Sequence, residues 1–251
     1  MLAIARAPLA VLAAVTLVCA GSGVAGATAA DAVRNNAAVT AISPGNGQVV
    51  GIAHPVMVEF AAPVRYRLAA QRAMTIETPS EVSGRFTWMS DRVMQWEPTT
   101  VWPAYTPVSV TAGDLSVEFD VGAAVTSVAD ISSHTFTVSI DGQVVREMPA
   151  SLGKSGFDTP VGSFTVLEKQ RRVKFDSRTI GIPLDDPEGY LIDGEYAVRI
   201  TWGGVYVHSA PWSVGSQGYA NVSHGCINLS PEDAAWYFDM VGIGDPVTVR
   251  S

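Results

Sequence analysis

Between residues 39 and 120 the apolar side chains recur at every second position in short runs, and that period of two restricts the segment to half-buried strands. Val56, Val58 and Phe60 alternate, as do Met74 and Ile76, Phe86 and Trp88, and Val108 and Val110. Turn-forming clusters at Pro44-Gly45-Asn46-Gly47, Pro79-Ser80, Ser83-Gly84 and Pro103 separate the runs. Regular breaks of this kind suit a small β-sandwich. The segment has no cysteine, no clustered carboxylates and one histidine, His54, which precedes a proline and reads as structural. It reads as a spacer or docking module.

The stretch 120–132, rich in Ala, Val and Ser, reads as a boundary. Beyond it Phe136, Val138 and Ile140 lead into Asp141-Gly142 and then Val144-Val145, a hairpin signal of the type that needs positive φ in the turn. Tyr196, Val198, Ile200 and Trp202 alternate up to Gly203-Gly204 and predict a second hairpin with residues 205–207. One helix is expected, with Ser230 as N-cap, Pro231 as first helical residue, Asp233 as capping acid, a body over 234–241 and Gly242 as the stop. A strand over 246–249 closes a mainly β domain. The expected organisation is an apolar leader over 1–30, a spacer over 31–38, a β-sandwich over 39–122 and a second domain over 123–251.

The leader carries one charge, Arg6; residues 9–20 are nearly all apolar, and Ala25-Gly26-Ala27 and Ala27-Thr28-Ala29 fit a small-residue cleavage pattern. It predicts export to the cell envelope, with a retained membrane anchor as the alternative. Val18 before Cys19 argues against a lipid-modified cysteine. Without Arg6 the net charge of −8 becomes −9, which disfavours nucleic acid and anionic lipid as general partners. The basic residues Lys169, Arg171, Arg172 and Lys174 read as a solvated strand face. Once the leader is gone Cys226 is the only cysteine, so no intramolecular disulfide is possible.

Such a thiol is either a small buried hydrophobe or a nucleophile. Ser223-His224-Gly225-Cys226 stands just ahead of the helix cap, where a neighbouring histidine and exposed amides favour a thiolate and Gly225 permits a sharp turn. Among the four histidines, His134 opens a strand and reads as a satisfied surface group. His208, which ends the 205–207 strand, and His224 are the candidate bases. No metal or organic cofactor is expected, because a zinc site would need a second cysteine or spaced histidines.

His208-Ser209-Ala210, followed after an interval by Ser223-His224-Gly225-Cys226-Ile227-Asn228, resembles the signature of the YkuD-type L,D-transpeptidases, with Thr159-Pro160-Val161-Gly162-Ser163-Phe164 in support. The likeness spans roughly residues 125–250, and the preceding module resembles the immunoglobulin-like domain of mycobacterial members. The resemblance implies Cys226 as nucleophile, His208 as general base and acid, Ser209 as the group orienting it, and the amides of Gly225 and Cys226 as an oxyanion hole. It places substrate contacts on Tyr190, Gly203, Gly204, Trp212, Ser223, His224 and Asn228. Gly203 and Phe175 depart from residues expected in related enzymes, which bears on the donor pocket.

The implied partners are peptidoglycan tetrapeptide stems, as donor and acceptor, and carbapenem-type β-lactams as inhibitors. Cleavage without cross-linking, by an L,D-carboxypeptidase or endopeptidase, and a non-catalytic wall-binding protein are the alternatives. A redox-sensing thiol would lack a resolving cysteine.

Overall fold

The computed structural model describes residues 37–251; the expected leader and the first six residues of the spacer fall outside them. The N-terminal module is a sandwich of two four-stranded sheets. One has the order β1 (Val39–Ser43), β3 (Val56–Phe60), β6 (Val93–Pro98), β5 (Gly84–Trp88). The other has the order β2 (Val49–Val50), β8 (Leu115–Val121), β7 (Pro107–Ala112), β4 (Thr75–Glu77). Alternation buries Val56, Val58 and Phe60 from β3 and Val108 and Val110 from β7 in one core. Trp102 centres it, 5.0 Å from the Trp96 ring and edge-on to Phe119 at 6.2 Å. Its indole N–H donates to the His54 carbonyl at 2.8 Å, which satisfies the one polar atom that burying a tryptophan would orphan.

Helix α1 (Arg67–Ala73) was not expected. It is seven residues long, its N-cap Tyr66 makes no side-chain capping bond, and Ala70 is its one buried residue, so it carries little of the periodic signal that marks a helix.

The second domain joins a five-stranded sheet to a four-stranded one. The first has the order β11 (Gln143–Pro149), β10 (Thr135–Ile140), β9 (Val125–Asp130), β17 (Pro246–Arg250), β12 (Gly162–Thr165). The second has the order β13 (Glu168–Asp176), β14 (Leu191–Arg199), β15 (Tyr206–Ser209), β16 (Ile227–Leu229). The boundary stretch contracts to residues 122–124, because Val125, Ser127 and Ala129 point inward from β9. The β10–β11 turn has Asp141 at φ 51° and Gly142 at φ 78°, as a two-residue hairpin with the twist of its strands requires.

The second hairpin ends earlier than alternation suggested. β14 stops at Arg199, Thr201 holds Val205 N–H and Gly204 N–H in a turn, and Trp202 is 73% exposed. The basic face of β13 is neutralised by β14, with Lys174 2.6 Å from Asp193 and Arg172 3.7 Å from Glu195.

Helix α2 (Pro231–Met240) is capped by Ser230, whose Oγ accepts from Asp233 N–H at 3.1 Å. Its Tyr237 ring packs edge-on to Phe136, 4.8 Å between centroids, and so fastens the helix to the core of the five-stranded sheet. The helix ends one residue before the expected point, at the Val241 cap, because Gly242 N–H turns to Asp245 Oδ2 at 2.7 Å.

The two cores share no residue, and hydrogen bonds from backbone and side chains join the domains, Tyr105 O–H to Asp141 Oδ2 at 2.6 Å among them. Gly51 N–H donates to the Ile243 carbonyl at 2.8 Å, Ala53 N–H to the Gly244 carbonyl at 2.9 Å, and Ile52 N–H to Asp245 Oδ1 at 3.3 Å. Burial pushes the Asp245 carboxyl up to about 6, against the Gly242 and Ile52 amides and Lys169, which favour its charged form. The folded chain therefore holds this proton more tightly than the unfolded chain, and its stability falls as pH rises from about 4 through 6. Asp245→Asn should remove up to about 3 kcal/mol of that slope. Melting temperatures of both proteins between pH 4 and 7 test this; parallel curves would refute it.

Candidate active site

β15 and β16 run parallel in the register Val207↔Ile227, His208↔Asn228 and Ser209↔Leu229. A parallel pair needs a long crossover, and here it is the loop that returns from Ser209 to Cys226. Its end is held by the segment Ser151 to Lys154. Ser151 exchanges backbone bonds with Asn228 at 3.0 and 2.9 Å, Ser223 N–H donates to the Leu152 carbonyl, and Lys154 N–H donates to the Ser223 carbonyl. Asn221 ties the same loop to Leu152 N–H, the Ile131 carbonyl and His134 Nδ1. Gly225 sits at φ +113°, in the left-handed region that a side chain would strain, and so turns the chain into Cys226.

Cys226 and His208 open onto one cleft of about 360 Å³, which Phe175, Tyr190, Trp212, Ser223, His224 and Asn228 also line. His208 is 3% exposed, and its Nδ1 donates to the Ser209 carbonyl at 2.8 Å. That bond fixes the tautomer and leaves Nε2 with its lone pair. Phe175 lies 4.5 Å from the ring and Trp212 6.0 Å. Burial pushes His208 down to about 4 and the Cys226 thiol up to about 11, the latter opposed by a bond from the Tyr206 backbone.

Desolvation favours the neutral form of each group. At Cys226 desolvation works against the thiolate, and the Tyr206 backbone bond works for it. The thiol donates to the Gly204 carbonyl at 3.7 Å.

The Gly225 N–H is committed to Ser223 Oγ at 3.1 Å, and that hydroxyl donates in turn to the Cys226 carbonyl at 2.6 Å. An oxyanion would therefore share the Gly225 amide with Ser223 Oγ. Tyr190 is held above its usual range by burial first and by Cys226 second, so it stands in the cleft as an O–H donor. Gly203 lies in the β14–β15 turn and is not among the residues lining the cleft.

Four participants carried no sequence signal: Ser213, Gln217, Glu188 and Lys154. Asn228 donates its amide to Ser213 Oγ at 3.1 Å, and Gln217 buttresses that hydroxyl at 3.3 Å, so Asn228 has a fixed orientation. Glu188 Oε2 lies 2.8 Å from His224 Nε2 and 2.5 Å from Lys154 Nζ. A larger, more open groove of about 770 Å³ lies on the N-terminal module, but no cysteine or histidine lines it. Among the described residues no cluster of three or more His, Cys, Asp or Glu could hold a metal, and no helix is long and apolar enough to cross a membrane.

Fold and site together define a two-module β protein whose C-terminal domain presents a cysteine in a histidine-lined cleft. Residues 124–249 match the L,D-transpeptidase catalytic domain and residues 20–116 the bacterial Ig domain. L,D-transpeptidase 1 of Mycobacterium tuberculosis is 54% identical over 242 residues, covering 96% of each chain. Among solved structures, an LD transpeptidase in complex with imipenem, LdtMt1, is 57% identical with a TM-score of 0.79, covering 85% of this chain and 99% of that one. L,D-transpeptidase 3 from Mycobacterium tuberculosis, with a faropenem-derived adduct, is 50% identical with a TM-score of 0.77, covering 85% and 98%. The chain belongs to the L,D-transpeptidase family of enzymes.

Proposed function

We propose that the chain forms 3→3 cross-links between peptidoglycan stem peptides through a thioester on Cys226. The observation that carries this reading is the thiol and the buried, tautomer-fixed imidazole facing one cleft. Cys226 Sγ attacks the carbonyl of the third, diaminopimelate-type residue of a tetrapeptide while its proton passes to His208 Nε2. His208 gives that proton to the departing D-alanine nitrogen, and the thioester remains. The side-chain amine of a second stem then attacks, His208 takes a proton from it, and Sγ recovers its hydrogen.

Because desolvation favours the neutral form of both groups, proton transfer accompanies attack, and the base is lost only as pH falls through about 4. Asn228 and Tyr190 supply polar contacts to the donor, and Trp212, half exposed at the rim, an apolar one. The likeness to proteins solved with imipenem and a faropenem-derived adduct supports acylation of Cys226 by carbapenem-type β-lactams. The apolar run over 9–20 supports export to the cell envelope.

Mass spectrometry of a disaccharide-tetrapeptide incubated with the protein tests the reading. A cross-linked dimer with free D-alanine is expected; tripeptide alone would make the protein a carboxypeptidase.

A further inference from the structure

The second half of that reaction carries a proton that His208 does not account for. The incoming amine is an ammonium at neutral pH, since a side-chain amine titrates near about 10.4. It ends as an amide with one N–H, so its nitrogen sheds two protons. One returns to Sγ through His208 as the C–S bond breaks. The other has to leave, and His208 is a poor exit: it is 3% exposed and its Nδ1 is committed to the Ser209 carbonyl.

A second imidazole stands on the cleft with the opposite tautomer. The Glu188 carboxylate accepts from His224 Nε2, so in the neutral ring the lone pair is on Nδ1. Lys154 reaches the same carboxylate oxygen, and Phe157 and Tyr190 hold the ring, 4.6 and 5.0 Å between centroids. The His224 side chain is 19% exposed, which gives it access to solvent. Glu188 is the one formally charged residue among those lining the cleft, and its sign suits a cation on the approach.

We propose that His224 Nδ1 accepts the surplus proton of the incoming ammonium, with Glu188, anchored by Lys154, as the positioning residue that fixes the ring and faces the transient imidazolium. The inference rests on the acyl-transfer reading above. The steps balance. The ammonium gives one proton to His224, and the neutral amine attacks the thioester carbonyl and forms the C–N bond. Its second proton passes through His208 to Sγ as the C–S bond breaks, and His224 releases the first to solvent. Thioester and ammonium become amide, thiol and one free proton. The charged and titratable groups around His224 are Glu188, Lys154, Tyr190 and, two residues on, Cys226.

The two half-reactions are measured separately on the full chain. The thioester is formed from a tetrapeptide donor, isolated, and chased with an amine-bearing stem peptide across pH 6.5–10.5, with intact-mass readout. His224→Gln keeps an N–H for Glu188 but has no basic nitrogen. It is expected to slow aminolysis about 100-fold at pH 7, at least about tenfold more than it slows acylation. The deficit should close as pH approaches about 10.4, where the amine is already neutral. Glu188→Gln should reproduce a smaller deficit, about tenfold, and Glu188→Asp should recover most of it; this pair carries the test if His224→Gln fails to fold.

A deficit that is constant with pH, or equal in both half-reactions, overturns the proposal. Wild-type thioester that only hydrolyses in the presence of amine overturns the transfer reading instead. Normal aminolysis by His224→Gln overturns this inference alone.

Discussion

Cys226→Ala is expected to lose all covalent reaction with a carbapenem and all product formation from a tetrapeptide, while its melting temperature stays within a few degrees of wild type. The thiol donates one weak bond, to the Gly204 carbonyl, so its removal costs the fold little. Intact-mass spectrometry after incubation with imipenem is the direct check. An adduct of the same mass on Cys226→Ala would end the nucleophile assignment. His208→Ala should retain slow acylation, reduced by about 10²- to 10⁴-fold, because the thiol remains and only its proton acceptor is gone.

The second large effect is expected at the joint between the domains. A Cβ at Gly51 would stand 2.2 Å from Asp245 N and 2.5 Å from the Gly244 carbonyl carbon, both backbone atoms that no side-chain rotation can move. Gly51→Ala should therefore cost about 3 kcal/mol and should act by parting the domains, since each keeps its own core. Two resolved melting transitions and faster proteolysis at residues 122–124 are the expected signs. A single transition at the wild-type temperature would show that the joint yields without strain.

Alternation of apolar residues located most of the strands because their burial is one-sided, as in β3 and β7. It failed at Trp202, where the pattern continued but the backbone had already entered a turn closed by Thr201. It also passed over α1, whose single buried residue leaves no face to detect. In the site, Cys226 and His208 were legible because each stands in a short motif. Glu188 was not: its partners Lys154 and His224 lie 34 and 36 residues away, and only the fold brings them to one carboxylate oxygen. The desolvation of the thiol was illegible for a related reason. Local neighbours argue for a thiolate, whereas desolvation depends on everything packed around the loop.

That desolvation bears on survival as much as on catalysis. Peroxides and simple alkylating agents attack thiolates, and desolvation disfavours that form of Cys226. Among the described residues no second cysteine stands ready to form a disulfide with the sulfur once it is oxidised. A sulfur that stays protonated until a carbonyl is docked against it would be spared by such reagents wherever the protein meets them.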